Sequence, residues 1–171
     1  MGASDSKLVF KKGIFKLSED KIIAADVQLI WQTGKYYFES VTEALAGKEH
    51  PNIVVREFLH RMDLAYAAAD VIISRAGAGT IAELCVIKKA VILVPSPNVA
   101  EDHQTKNAMA LVENQAALLV RDNEAEGRLV DLALNLINDK EKCEQLAGNI
   151  GLMAMPNADE VIAREVLKLT E

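Results

Sequence analysis

Five short runs of this 171-residue chain are apolar almost without interruption, and they constrain its fold more than any other feature. They are residues 27–31 (Val-Gln-Leu-Ile-Trp), 52–55 (Asn-Ile-Val-Val), 70–74 (Asp-Val-Ile-Ile-Ser), 90–94 (Ala-Val-Ile-Leu-Val) and 117–120 (Ala-Leu-Leu-Val). A strand with one wet face alternates apolar and polar residues, whereas a strand covered on both faces does not. Stretches of helical character separate the runs, at about 36–46, 62–69, 78–88 and 102–114. The chain beyond residue 120 also reads as helical, broken near Asn138-Asp139 and at Met155-Pro156-Asn157. Strands and helices alternating in this way predict the α/β class, a Rossmann-like doubly wound parallel sheet with helices on both faces. Residues 1–20 follow no clear pattern and are left unassigned, while residues 21–171 read as one domain without repeats, low-complexity tracts or long linkers.

Several function classes are excluded early. Half of the residues are hydrophobic, which rules out a wholly disordered chain. A net charge of -6 speaks against a nucleic-acid binder, because tracking phosphates needs an excess of Lys and Arg. Cys85 and Cys143 have no Cys or His neighbours at metal-ligand spacing and read as reduced packing residues. No run approaches the roughly 20 apolar residues that cross a bilayer. The start, Met1-Gly2-Ala3-Ser4-Asp5, is too polar for a signal peptide. A cytoplasmic chain that stays in solution is therefore expected.

Two polar segments interrupt the apolar pattern just beyond strands, where ligands collect at the carboxyl edge of a parallel sheet. The first is Ser74-Arg75-Ala76-Gly77-Ala78-Gly79-Thr80-Ile81-Ala82-Glu83. Glycines at 77 and 79 permit a sharp turn and close approach of a bound group. The amides from Ala78 to Thr80, backed by the helix dipole, suit an anion such as a diphosphate. Glu83, about one turn further on, suits the hydroxyls of a ribose. A plainer reading stands beside this one: a tight turn with a capping-type carboxylate. The segment lacks the third glycine of the dinucleotide fingerprint.

The second segment is Pro95-Ser96-Pro97-Asn98-Val99-Ala100-Glu101-Asp102-His103-Gln104-Thr105-Lys106-Asn107-Ala108. His103, Gln104 and Asn107 offer donors and acceptors suited to sugar hydroxyls, and Gln104 is able to use its carbonyl and amide together. Alternatively, Asp102 caps the helix and the others form a solvated first turn. The aromatic cluster Tyr36-Tyr37-Phe38 reads as packing of a helix on the sheet.

These two segments, together with Trp31-Gln32-Thr33-Gly34-Lys35 and Met62-Asp63-Leu64-Ala65-Tyr66-Ala67-Ala68-Ala69-Asp70, stand in the order found in the MurG family. The chain resembles the C-terminal, donor-binding half of these two-domain bacterial glycosyltransferases of GT-B arrangement, from about residue 22 to the end. The family transfers N-acetylglucosamine from UDP-N-acetylglucosamine to undecaprenyl-pyrophosphoryl-N-acetylmuramyl-pentapeptide in peptidoglycan synthesis. It is peripheral on the cytoplasmic face of the inner membrane.

The resemblance implies that Glu83 binds the ribose hydroxyls of UDP and that Ala78, Gly79 and Thr80 line the diphosphate. It places Gln104 and His103 at the N-acetylglucosamine, the Leu59 backbone at the uracil edge, and Met62 nearby. Arg75 has two readings: it neutralises the diphosphate, or it pairs with a structural carboxylate. Neither a metal nor another cofactor is implied, since no Asp-x-Asp sequence occurs.

Two departures from the family matter. The acceptor-binding N-terminal domain, to which the resemblance assigns a Gly-rich, His-containing loop and the catalytic base, is missing, so no catalytic residue is assigned here. The family's Gly-Gly-Ser-x-Gly-Ala loop is not intact, and Gly2-Ala3-Ser4 stands as its candidate remnant. The expected behaviour is donor binding without turnover. Rival readings are the soluble subunit of a split N-acetylglucosaminyltransferase and another GT-B enzyme acting on a UDP-sugar.

Overall fold

A computed structural model describes residues 7–10, 19–25, 27–47, 51–99 and 102–169. Within them, six strands form one sheet: β1 Lys7–Phe10, β2 Gln28–Gln32, β3 Ile53–Arg56, β4 Val71–Ser74, β5 Ala90–Leu93 and β6 Leu118–Leu119. Their order is β3-β2-β1-β4-β5-β6, and every neighbouring pair is parallel. Eight helices are described: α1 Glu19–Ala24, α2 Lys35–Leu45, α3 Met62–Ala68, α4 Ala78–Ile87, α5 His103–Glu113, α6 Ala125–Asn138, α7 Lys140–Leu152 and α8 Ala158–Lys168. The doubly wound expectation is met, and the five expected strands differ from the observed ones only at their ends.

The continuous apolar runs have the anticipated cause. All four side chains of β4 and all four of β5 are buried. Successive residues of these strands enter different layers, as the two-residue period of a strand requires. Val71, Ile73, Ala90 and Ile92 pack with Val41 and Leu45 of α2 and Leu129 and Ala133 of α6. Ile72, Val91 and Leu93 face the other way, onto Tyr66 of α3, Leu84 of α4 and Leu111 of α5. Helix α7 serves both layers, giving Leu146 to the first and Ile150 to the second. Helix α8 buries no side chain and leaves Ile162 and Leu167 exposed.

The main departure lies in the unassigned segment. Lys7–Phe10 forms β1, which pairs with β2 through Leu8↔Leu29 and with β4 through Leu8↔Val71. The sheet therefore begins well before residue 21. Gly2-Ala3-Ser4, offered as a loop remnant, lies outside the described residues. Of the aromatic cluster, Tyr37 packs against the first layer, but Tyr36 is 87% exposed, so the packing reading holds for Tyr37 and fails for Tyr36. Both thiols are reduced, and burial pushes the Cys85 and Cys143 thiols above their ordinary range, as packing residues require.

This topology decides where a ligand can sit. From β1 the chain winds outward to β2 and β3, and from β4 to β5 and β6, so the order reverses between β1 and β4. Helices α1 and α4, which follow those strands, lie on opposite faces, as Ile22 and Leu84 show by their layers. Such a reversal opens a crevice at the carboxyl ends of the strands.

Ile72→Val and Ile73→Val test the two layers. Each is expected to cost about 0.5–1.5 kcal/mol. The double variant is expected to lose their sum to within about 0.5 kcal/mol in urea unfolding. Coupling beyond that contradicts independent layers.

Candidate functional site

At the carboxyl end of β4, Ser74 is buried and its hydroxyl has no hydrogen-bond partner among the described residues. The chain then turns through Arg75, Ala76 and Gly77 into α4. Gly77 is the N-cap, with φ −67 and ψ 145, and no side chain caps the helix. The first intrahelical bond runs from the Ile81 N–H to the Gly77 carbonyl, at 2.9 Å. The amides of Ala78, Gly79 and Thr80 precede it, so they have no acceptor within the helix.

The glycines do not act as a sharp turn would need. Neither Gly77 nor Gly79 has positive φ. A Cβ built on Gly79 meets nothing within 4 Å, so the chain's own packing does not require a glycine there. Open space over an uncapped helix start is what close approach by a ligand calls for. Glu83 stands six residues beyond the Gly77 N-cap, past the first turn, and its carboxylate accepts a hydrogen bond from the Tyr66 hydroxyl at 3.3 Å.

The turn is held in place from α5. Gln104 Oε1 accepts from the Ala76 N–H at 3.2 Å and from the Ser96 N–H at 2.9 Å. Asn107 Nδ2 donates to the Ala76 carbonyl at 3.1 Å. Residues i and i+3 of one helix thus grip both ends of one residue's backbone. This overturns the solvated-turn reading for Gln104 and Asn107. It also narrows the expectation that Gln104 reads a sugar with carbonyl and amide together, since the carbonyl is committed to backbone and the amide is the group for a sugar. Asp102 is the N-cap of α5 but does not cap it by its side chain, which accepts from Thr105 Oγ1 at 2.6 Å. His103 is exposed at the first position of the helix.

Arg75 takes the structural of its two readings. Its Nη1 donates to the carbonyls of Val94 at 3.1 Å and Pro95 at 3.2 Å and pairs with Asp122. The guanidinium braces the loop after β5, because a cation leaving a buried strand needs acceptors close by.

Beyond Glu83 lies a cavity of about 740 Å³, lined by Phe58, Leu59, Met62, Tyr66, Glu83 and Val86 among others. Leu59 and Met62, which the resemblance places at the uracil, both line this cavity. The Leu59 N–H, however, donates to the buried Gln32 Oε1 at 2.8 Å, so a base edge is left to meet the Leu59 carbonyl. Thr33 and Gly34 donate backbone bonds to Arg56 and Glu57 of the same loop. Met155 and Pro156, from the link between α7 and α8, also line the cavity. In the sequence they read only as a helix break. Gln32 and Tyr66 stood within recognised segments, but nothing in their spacing announced these contacts.

The arrangement follows one line. Uncapped amides come first, and a carboxylate stands on the same helix about 7 Å further along, at 1.5 Å per residue. An apolar cavity follows. A nucleoside diphosphate has the same sequence of parts: anion, vicinal diol, base.

The chain is similar to known proteins in sequence and in fold. Residues 3–162 match the model of the family described as the glycosyltransferase family 28 C-terminal domain. Over 147 residues, 85% of its length, the chain is 57% identical to the UDP-N-acetylglucosamine–N-acetylmuramyl-(pentapeptide) pyrophosphoryl-undecaprenol N-acetylglucosamine transferase of Bacteroides thetaiotaomicron. It spans 40% of that relative's length. The fold is similar to that of Acinetobacter baumannii MurG, with a TM-score of 0.80 at 23% identity, over 98% of this chain and 51% of that one. It is also similar to Staphylococcus aureus MnaA in a co-structure with UDP, with a TM-score of 0.72 at 18% identity, over 96% and 45% of the two chains.

Arg75→Ala separates the two roles of that residue. Removing the brace leaves Asp122 and two carbonyls without their donor, and stability is expected to fall by about 1–3 kcal/mol in thermal melts. UDP affinity should change by less than about threefold. A stable variant that loses most of its UDP affinity contradicts the assignment.

Proposed function

The chain belongs to the glycosyltransferase family 28 C-terminal domain family, and from that premise we propose that it is the donor-binding domain of a peptidoglycan N-acetylglucosaminyltransferase. The donor is UDP-N-acetylglucosamine, and the full enzyme carries its sugar to undecaprenyl-pyrophosphoryl-N-acetylmuramyl-pentapeptide. The observation that carries this reading is the uncapped start of α4 with Glu83 on the same helix and the apolar cavity beyond. The printed activity of the 57%-identical relative supports the choice of sugar and acceptor.

In this reading, the Ala78, Gly79 and Thr80 amides receive the diphosphate. Glu83 accepts from the ribose hydroxyls, and the base enters the cavity against Met62 and the Leu59 backbone. The Gln104 amide and His103 meet the N-acetylglucosamine at the start of α5. An acceptor hydroxyl attacks the anomeric carbon, the carbon–oxygen bond to the diphosphate breaks, and UDP leaves with inversion. The amides and helix dipole stabilise the charge that develops on the leaving oxygen, already oriented before reaction.

The acceptor site and the base for its hydroxyl belong to the acceptor domain of the full enzyme, which docks over this site at the cytoplasmic face of the membrane. No described helix is long and apolar enough to cross that membrane, which suits a peripheral enzyme.

Calorimetry with UDP-N-acetylglucosamine tests the reading. The chain is expected to bind it more tightly than UDP-glucose, and Glu83→Ala to weaken it by about ten-fold or more, as loss of hydrogen bonds to a charged group implies. Affinity unchanged in Glu83→Ala contradicts the ribose role. Transfer to the lipid acceptor is expected only when the acceptor domain is present, and turnover by this chain alone speaks against the division of labour. Gly79→Ala places a methyl in the open space over the helix start. It is expected to keep or raise stability by up to about 1 kcal/mol, yet to weaken UDP binding. Unchanged binding argues against an anion at that position.

A further inference from the structure

We propose that Tyr66 is a positioning residue that holds Glu83 in the orientation a ribose diol requires, and thereby sets the preference for ribose over deoxyribose. The proposal rests on the reading of Glu83 as the ribose ligand. It assigns to α3 a part in sugar discrimination that the chain's likeness to known proteins leaves unassigned.

Glu83 is exposed on α4, and an exposed glutamate has three side-chain torsions to sample. A carboxylate that must accept from two adjacent hydroxyls benefits from being fixed before the ligand arrives. Tyr66 is equipped to fix it. Its side chain is 5% exposed and packs in the second layer with Ala65, Ile72 and Leu84. Packing locks the ring, so the hydroxyl is delivered to a defined point, 3.3 Å from Glu83 Oε2. Both residues line the cavity that takes the base and ribose. A buried phenol needs a partner for its hydroxyl. Here that partner is a carboxylate on a neighbouring helix, at the edge of the cavity, so one hydrogen bond satisfies the phenol and orients the acid.

The test is calorimetry with UDP and with 2′-deoxy-UDP on the parent chain, Tyr66→Phe, Glu83→Ala and the double variant. Phenylalanine keeps the ring and its packing and removes only the hydroxyl. Tyr66→Phe is expected to lower UDP affinity roughly five-fold, in line with one lost hydrogen bond. It should lower 2′-deoxy-UDP affinity clearly less, so the ratio between the two ligands shrinks. In the Glu83→Ala background the same change is expected to do nothing, because the residue it acts through is gone. Equal losses for both ligands, or losses that add to those of Glu83→Ala, mean that Tyr66 is structural only and overturn the proposal. A ratio unchanged in Glu83→Ala itself overturns the ribose role of Glu83, and absence of UDP binding by the folded parent chain overturns both.

Discussion

The backbone of Ala76 is gripped at both ends by one helix, and the geometry of the candidate site depends on that grip. Its N–H donates to Gln104 and its carbonyl accepts from Asn107, while Gln104 also receives the Ser96 N–H. A parallel sheet supplies strand ends but does not dictate the loops beyond them, and loop peptides left without partners are costly when buried. Two side chains from α5 solve this for the turn that opens α4. The same contacts tie the loop after β5 to the loop after β4, and Arg75 adds a second tie through Val94, Pro95 and Asp122. Each bond contributes on the order of 1 kcal/mol. Together they fix the position of three uncapped amides before any ligand is present.

Under the proposed function, that arrangement is how an acidic chain would accommodate a polyanion. The protein carries a net charge of -6. The arginine nearest in sequence to the helix start is paired with Asp122. The attraction would fall instead to amides and a helix dipole, which have no long side chain to be ordered. Orientation comes from the frame rather than from the ligand. The same logic governs the far end of the site, where Gln32 holds the Leu59 N–H and leaves the loop's carbonyl for a base.

Much of this was legible in the chain itself. The runs at 70–74 and 90–94 announced strands covered on both faces because burial on two sides removes the need for polar alternation. Strand β1 was not legible: Lys7–Phe10 holds only three apolar residues in a row, and its place is set by pairing with β2 and β4. The start of α4 and Glu83 were readable from spacing along one helix. The Tyr66–Glu83 and Gln32–Leu59 bonds were not, because they join residues 17 and 27 positions apart and exist only once α3 and β2 are packed. Arg75 stood open between two roles for the same reason, its partner Asp122 being 47 residues away. Met155 and Pro156 read as punctuation, and only the path of α7 brings them to the cavity wall.

The central claim is one of place: a nucleoside diphosphate binds at the carboxyl edge of the sheet, between the start of α4 and the loop after β3. Titrating the isotope-labelled chain with UDP and following backbone amide shifts addresses it directly. The account predicts that the largest shifts fall on Ala78, Gly79 and Thr80, followed by Glu83, Leu59 and Met62. A second cavity, of about 410 Å³, lies toward the opposite edge, where Asp70, Lys89, Lys140 and Cys143 line it. Shifts centred there, with the amides at the start of α4 unmoved, contradict the account.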